Sequence, residues 1–309
     1  MKNYITVDGG TTNTRVYLVC GGDVVDSVKI AIGSKNIESK AALPAAIRDA
    51  IGVILAAHSL SESDIEAVIA SGSITSEFGL YTVDHTVAPA GLAELNCGSK
   101  RVSLPEISAI PFFFISGVKT LGELGECDMM RGEETELMGL IKGCEACTYV
   151  LPGSHSKLVS VGADGRILKL QTMLTGEMIA SISSGTIIAN CIDLSLSTFD
   201  YEALEAGYSY AVEYGLNEAL FKVRVLKNIF GKDILYTYSF FIGAVLKDEI
   251  KAIISHSAKS VIIGGRAQIK RATAYLLAKL SDKEIVELDD KTVDSSVVRG
   301  AIKIYEYQG

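Results

Sequence analysis

Apolar and polar positions along the chain recur every second residue in some stretches and every third or fourth in others. The change of period marks the elements. Residues 4–7 form an apolar run that ends at Asp8 and a small-residue turn, Gly9-Gly10-Thr11-Thr12-Asn13. Runs over 15–19 and 24–30 follow, so the chain opens with a β-hairpin and a third strand. Residues 42–57 carry Leu43, Ile47, Ala50, Ile51, Ile54 and Leu55 at helical spacing and predict an amphipathic helix. Residues 66–71 predict a buried parallel strand, with Gly72-Ser73-Ile74 as a loop at its C-terminal end. From 81 to 116 the pattern is irregular and carries Pro89, Pro105 and Pro111, with a short apolar strand at 112–115. Residues 117–125 read as a connector. The domain boundary is placed there, giving domains 1–120 and 121–309.

No internal repeat is obvious along the chain, but the second half again shows a strand, a tight Gly/Ser turn and a strand. Gly132 breaks the chain and 133–141 predicts a helix. A strand at 148–151 runs into Pro152-Gly153-Ser154-His155-Ser156-Lys157, and 158–161 returns as a strand. Asp164-Gly165 turns the chain into a strand at 167–173. Thr175-Gly176-Glu177 leads into a helix at 178–183, with Thr175 as its expected cap. Residues 201–235 read as mostly helical and 238–255 as a second amphipathic helix. A buried strand at 260–263 meets Gly264-Gly265-Arg266 and a helix at 267–280; a strand at 284–288 and a helix at 297–305 close the chain. The fold class is α/β with two domains.

Two glycine-bearing turns carry the candidate chemistry. Gly9 and Gly10 have no Cβ to block approach, and the turn hydroxyls of Thr11 and Thr12 add donors. Such concave arrays of N–H groups bind phosphate oxygens. Asp8, at a strand end, stands where a carboxylate holds Mg²⁺ through water. The expectation is that Asp8 organises the metal while Gly9 to Asn13 touch ATP phosphates. Gly153, Ser154 and His155 form a second turn of the same kind, with Lys157 as a further cation. Gly264 and Gly265 would let a flat ring or phosphate lie against the backbone at a helix start. Ser73, in a loop at a parallel strand end, is a candidate substrate contact. Glu133, Glu134 and Glu136 open the 133–141 helix. They read either as favourable first-turn charges or as a base taking a proton from a hydroxyl.

Composition narrows the partners. The 309 residues are 48% hydrophobic and 21% charged, enough for a sizeable core. Net charge is -8 and no Lys/Arg cluster suggests a nucleic-acid surface. Mean hydropathy is +0.30, yet no apolar run approaches the roughly 20 residues of a membrane span. No secretory pattern opens the chain, so a cytoplasmic location is expected. The six cysteines read as free thiols, and the single Cys144-x-x-Cys147 pair is weak evidence for metal or redox work.

Together, DGGTTNTR at 8–15, MRGEET at 130–135, LPGSHSK at 151–157, TGE at 175–177 and IIGG at 262–265 resemble the 2-dehydro-3-deoxygalactonokinase family. These are sugar-acid kinases of the actin, hexokinase and Hsp70 superfamily. The resemblance spans nearly the whole chain and implies a two-domain actin-like (ribonuclease H-like) fold, with the active site in an inter-domain cleft. It implies ATP and Mg²⁺ as cofactors and phosphorylation of the 6-hydroxyl of 2-dehydro-3-deoxy-D-galactonate. By analogy with glycerol and xylulose kinases, Glu133 would be the base, with Glu134 as alternate. Arg15, Arg131 and Lys157 would neutralise phosphate or the substrate carboxylate, and Glu177 would border the substrate. The same residues leave open a kinase for another keto-deoxy sugar acid or sugar, an acyl kinase, and a non-catalytic actin-like ATP-binding protein. The expected partner is a small sugar acid, not nucleic acid or membrane, and a homodimer is an admissible assembly.

Overall fold

The structure, a computed structural model, describes residues 2–33, 42–143, 145–265 and 267–308. Two compact units emerge. The first comprises Met1–Glu145, Gly162–Leu170 and Lys291–Gly309; the second comprises Ala146–Val161 and Gln171–Asp290.

The first unit opens with β1 (Asn3–Gly9), β2 (Thr14–Cys20) and β3 (Asp23–Ile30). Helix α1 (Ala42–Ala57) follows and buries the six apolar residues that its spacing singles out. Then come β4 (Ala67–Gly72), β5 (Thr86–Val87), α2 (Leu92–Gly98), β6 (Lys100–Val102) and β7 (Phe112–Phe114). Next are β8 (Val118–Thr120), β9 (Asp128–Met130) and α3 (Glu133–Leu140). The main sheet runs β3-β2-β1-β4-β7-β6. β1 is antiparallel to β2 but parallel to β4. This hairpin-then-parallel order is the actin-like sheet that the resemblance implies. β4 is buried at every position, as a central parallel strand requires. Its Val68 and Ala70 join Ile5, Val7, Ile47, Ile51, Phe112 and Phe114 in one core.

The second unit holds β10 (Cys147–Leu151), β11 (Ser156–Val161) and the end of β12 (Ile167–Met173). Helices α4 (Thr175–Gly185), α5 (Tyr201–Tyr214), α6 (Leu216–Asn228) and α7 (Ile234–Ser255) follow. β13 (Ser260–Ile263), α8 (Ala267–Leu280) and β14 (Glu284–Glu287) complete it. The sheet order is β12-β11-β10-β13-β14, with β10 antiparallel to β11 and parallel to β13. The opening hairpin and its parallel neighbour thus recur. The core packs Phe240, Phe241, Leu246 and Ile250 of α7 against Val150, Leu158, Val261 and Ile263 of the strands. The chain closes with α9 (Asp290–Asp294) and α10 (Ser296–Glu306).

Local pattern located most elements within a residue or two, but not how they group. The expected boundary near residue 120 is crossed by β8 and β9, which pair with each other, and 121–145 belong with the first unit. The last helix also returns to that unit, where α10 packs on α3. The span read as mostly helical over 201–235 is two helices, divided at Gly215 with φ 86°. α2 lies where only irregular strands were expected. Arg266, expected in the turn before α8, and Cys144 of the C-x-x-C lie outside the described residues. Among the described residues Cys20, Cys97, Cys127 and Cys191 are free thiols, as expected. Among the described residues no helix is long and apolar enough to cross a membrane.

Candidate functional site

In the first unit, β1 carries Asp8 to the edge of its turn. Arg15 faces it across the hairpin and Ser71 across the parallel pair. Arg15 Nη1 lies 4.0 Å from Asp8 Oδ2, with both side chains partly exposed, so the pair is weak. Burial pushes the Asp8 carboxyl upward, Arg15 opposes that, and the Glu133 charge adds to it. The turn is closed by the Gly10 N–H, which donates to Asn13 O at 2.9 Å. The Ser73 hydroxyl donates to Gly10 O at 2.9 Å, so this expected substrate contact instead holds the turn. Gly9 pairs with Gly72. Gly72 has φ 80°, and a Cβ there would stand 2.3 Å from Gly9 O. Gly132 presses on Gly72 from the other side, where its own Cβ would meet the Gly72 Cα at 3.1 Å. Bare backbone at these positions brings the start of α3 against the end of β4.

The three carboxylates of α3 separate in role. Glu134 is fully buried, and its two oxygens accept the Gly132 N–H at 2.9 and 2.8 Å. The Thr135 hydroxyl donates to it at 3.1 Å. Burial, then the neighbouring Glu133 charge, raises its carboxyl to about 7. Glu133 keeps partial exposure and accepts the Arg131 N–H at 3.1 Å. Glu136, which the sequence leaves open as a first-turn charge or a base, is raised to about 8 by burial, then by Glu133 and Asp8. It lies three residues after Glu133 and hence on the same helix face, a spacing that is legible in sequence. The acidic group is therefore Asp8, Glu133 and Glu136.

Arg131 is held by the protein itself. Nη1 donates to Thr75 O at 2.8 Å and Thr75 Oγ1 at 2.6 Å. Nη2 donates to Val83 O at 2.8 Å and to His85 Nδ1 at 3.2 Å. The guanidinium fastens the loop after β4 rather than standing free for a substrate carboxylate.

The second unit offers the other turn. Gly153 and Ser154 are exposed and His155 is partly so, whereas Lys157 is buried inside β11 opposite Leu151. Lys157 therefore belongs to the strand rather than to the turn. His155 Nε2 stands 3.4 Å from Glu177 Oε2, and the Glu177 N–H donates to Ser154 O at 3.0 Å. Gly264 N–H donates to Val150 O at 2.8 Å. Gly265, at φ 75°, lies so close to the turn that a Cβ would stand 2.7 Å from Pro152 O. The segment expected to border a ring and the turn expected to hold phosphate are thus packed on each other. Thr175 does not cap its helix: its hydroxyl donates to Glu249 Oε2. Glu249 Oε1 accepts the Ser156 hydroxyl at 2.7 Å. This α7 carboxyl, 1% exposed and pushed upward by burial, ties together both flanks of the turn. Nothing in the periodicity of α7 distinguishes it.

Each turn by itself suits a nucleotide's phosphates. Among the described residues no group of three or more His, Cys, Asp or Glu is set to hold a metal. A single carboxylate such as Asp8 fits Mg²⁺ held largely through water. Exposed glycine and serine backbone fits phosphate oxygens.

Relatives point the same way. The chain is 26% identical over 200 residues to the probable 2-dehydro-3-deoxygalactonokinase DgoK1 of Rhizobium meliloti (strain 1021), covering 61% of this chain and 59% of that protein. It is 27% identical over 176 residues to the 2-dehydro-3-deoxygalactonokinase of Escherichia coli (strain K12), covering 57% and 54%. The matches thus span between half and three fifths of those curated relatives. A solved structure of a candidate 2-dehydro-3-deoxygalactonokinase from Sinorhizobium meliloti shares the fold at TM-score 0.77 and 23% identity, over 98% of this chain and 100% of that one. The 2-keto-3-deoxy-galactonokinase family model matches residues 8–300, from the first acidic turn to the last helix, and the chain belongs to that family.

Proposed function

We propose that the protein is an ATP-dependent kinase acting on the 6-hydroxyl of 2-dehydro-3-deoxy-D-galactonate, with Mg²⁺ as its metal. The observation that carries this reading is the division of labour at the start of α3. Glu134 is turned inward onto Gly132, while Glu133 keeps solvent access in the same acidic group as Asp8. Glu133 is therefore the base. When bound, Mg-ATP supplies the phosphoryl group and an in-line leaving group.

The chain's own residues place and deprotonate. Asp8 orients the hydrated metal. Thr11, Thr12 and Asn13 offer donors to phosphate oxygens, and Gly153, Ser154 and His155 do the same from the second turn. Gly264 and Gly265 border the adenosine. Arg15 stands 4.0 Å from Asp8. It offsets charge as the acceptor hydroxyl loses its proton to Glu133. Arg131 acts one step back, through Thr75 and Val83, by fixing the loop that follows β4.

Assay of ADP release against a panel of keto-deoxy sugar acids and neutral sugars tests the reading. The expected result is the highest turnover with 2-dehydro-3-deoxy-D-galactonate. Preference for another acid would move the acceptor, and no acceptor-dependent ADP release would overturn the kinase assignment.

A further inference from the structure

A recess lies at the other end of α3 from Glu133, wholly within the first unit. Its volume is about 690 Å³, in the range of small-molecule sites. Four separate stretches wall it: the start of α2, the end of α3 with the residues after it, the turn at 162–166, and α10. Its charged wall residues are Glu94, Lys142, Asp164, Arg166 and Lys303, and Tyr307 adds an aromatic face.

The carboxylates of this wall already have partners. Glu94 pairs with Arg166 Nη2 at 3.0 Å and accepts the Gly91 N–H at 2.9 Å. Asp164 accepts the Arg166 backbone N–H at 3.1 Å. Arg166 also donates to Pro89 O at 2.8 Å, so the Glu94–Arg166 pair is fixed as part of the wall. Two ammonium groups, Lys142 and Lys303, remain on the same recess. Lys303 Nζ donates to Met138 O at 3.1 Å, which leaves further N–H donors on that ammonium.

We infer that this recess binds a small organic dianion, carrying carboxylate or phosphate groups, with Lys142 and Lys303 as its paired cations. The apolar wall of Met138 and Ile141 takes the carbon skeleton. Burial, then Arg299 and Lys142, depresses the Lys303 ammonium, so positive charge is crowded at this point. A bound dianion relieves that crowding. The crowding stands out in a chain whose net charge is -8. The eight residues of α3 span about 12 Å, so one short helix joins the recess to the carboxylate assigned as base.

The test measures binding and does not depend on kinase activity. Malonate, inorganic phosphate and neutral glycerol are titrated calorimetrically into the full chain. Saturable binding of malonate, phosphate or both is expected, with none for glycerol. Malonate alone marks a carboxylate reader and phosphate alone a phosphate reader. Lys142→Gln with Lys303→Gln should weaken binding roughly tenfold or more, about 1.4 kcal/mol. Lys259→Gln, an exposed lysine of the other unit paired with Glu284, should leave it unchanged. Binding that survives the Lys142 and Lys303 changes would place the anion elsewhere and overturn the inference, as would no saturable binding of either anion. Should Lys303→Gln impair folding, Lys142→Gln alone decides, because Lys142 lies beyond the end of α3.

Discussion

Glu249 Oε1 accepts the hydroxyl hydrogen bond of Ser156 at 2.7 Å, while the other carboxyl oxygen accepts that of Thr175. Ser156 begins β11 just after the Gly153–His155 turn, and Thr175 begins α4, whose Glu177 N–H holds Ser154 O. One buried carboxyl therefore sets the geometry of a turn that it does not itself extend. Replacing it by alanine strands two buried hydroxyls. Each unsatisfied group costs about 1–3 kcal/mol. Glu249→Ala should lower the melting temperature. Glu249→Gln retains one acceptor and should stay folded, yet raise KM for ATP more than it lowers kcat. An unchanged KM for ATP in a folded Glu249→Gln protein would remove it from the turn's support.

Asp8→Asn removes the charge but keeps the shape at the end of β1. The protein should keep its fold, because the Asp8–Arg15 pair is long, at 4.0 Å, and partly exposed. Turnover should fall by orders of magnitude, since an amide is a poor partner for hydrated Mg²⁺. Near wild-type turnover at saturating Mg-ATP would end the metal role.

The two adjacent glutamates of α3 should part company under mutation. Glu133→Gln should abolish phosphoryl transfer while nucleotide binding and melting temperature stay close to wild type. Glu134→Ala should mainly destabilise, by about 1–3 kcal/mol, because the Gly132 N–H loses its buried acceptor. If only the Glu134 variant lost transfer while remaining stable, the base would move by one residue.

Gly72 should tolerate no side chain. Its φ of 80° is strained for alanine, and the added Cβ would sit 2.3 Å from Gly9 O. Gly72→Ala should cost about 2–4 kcal/mol, from overpacking plus strain, and should depress turnover beyond the stability loss. Denaturant midpoints alongside kcat separate the two effects.

The parts legible in the sequence were those with local causes. The helical spacing of Leu43 through Leu55 fixed α1, and the apolar run Ser260–Ile263 fixed β13, because burial on one face or both leaves a periodic trace. The two hairpin turns were visible because Gly, Ser, Thr and Asn between apolar runs favour turns. Hidden were features whose cause is tertiary. The return of α10 to the first unit, the buried Glu249 and the capture of Arg131 by Thr75, Val83 and His85 join residues far apart in sequence. Lys157 was misplaced onto the turn for a related reason. Strand pairing extends to Leu151–Lys157, one pair beyond the apolar run that marked the strand.

His85 supplies a pH signature for the Arg131 clamp. Burial, then the Arg131 and Lys119 charges, lowers its pKa from 6.5 to about 4, against a small opposing pull from Asp84. Its Nδ1 lies 3.2 Å from Arg131 Nη2 and accepts that bond as neutral imidazole. Between pH 6.5 and about 4 the unfolded chain carries a proton at His85 that the folded chain does not. Folding stability from this group is thus fully present above pH 6.5 and is lost as pH falls through that window. His85→Gln keeps a side-chain acceptor for Arg131 but cannot titrate. Urea denaturation of both proteins from pH 8 to 4 should show the wild type losing stability more steeply below pH 6.5. Parallel curves would mean that His85 is protonated in the folded protein, and that the Arg131 clamp does not hold the loop as described.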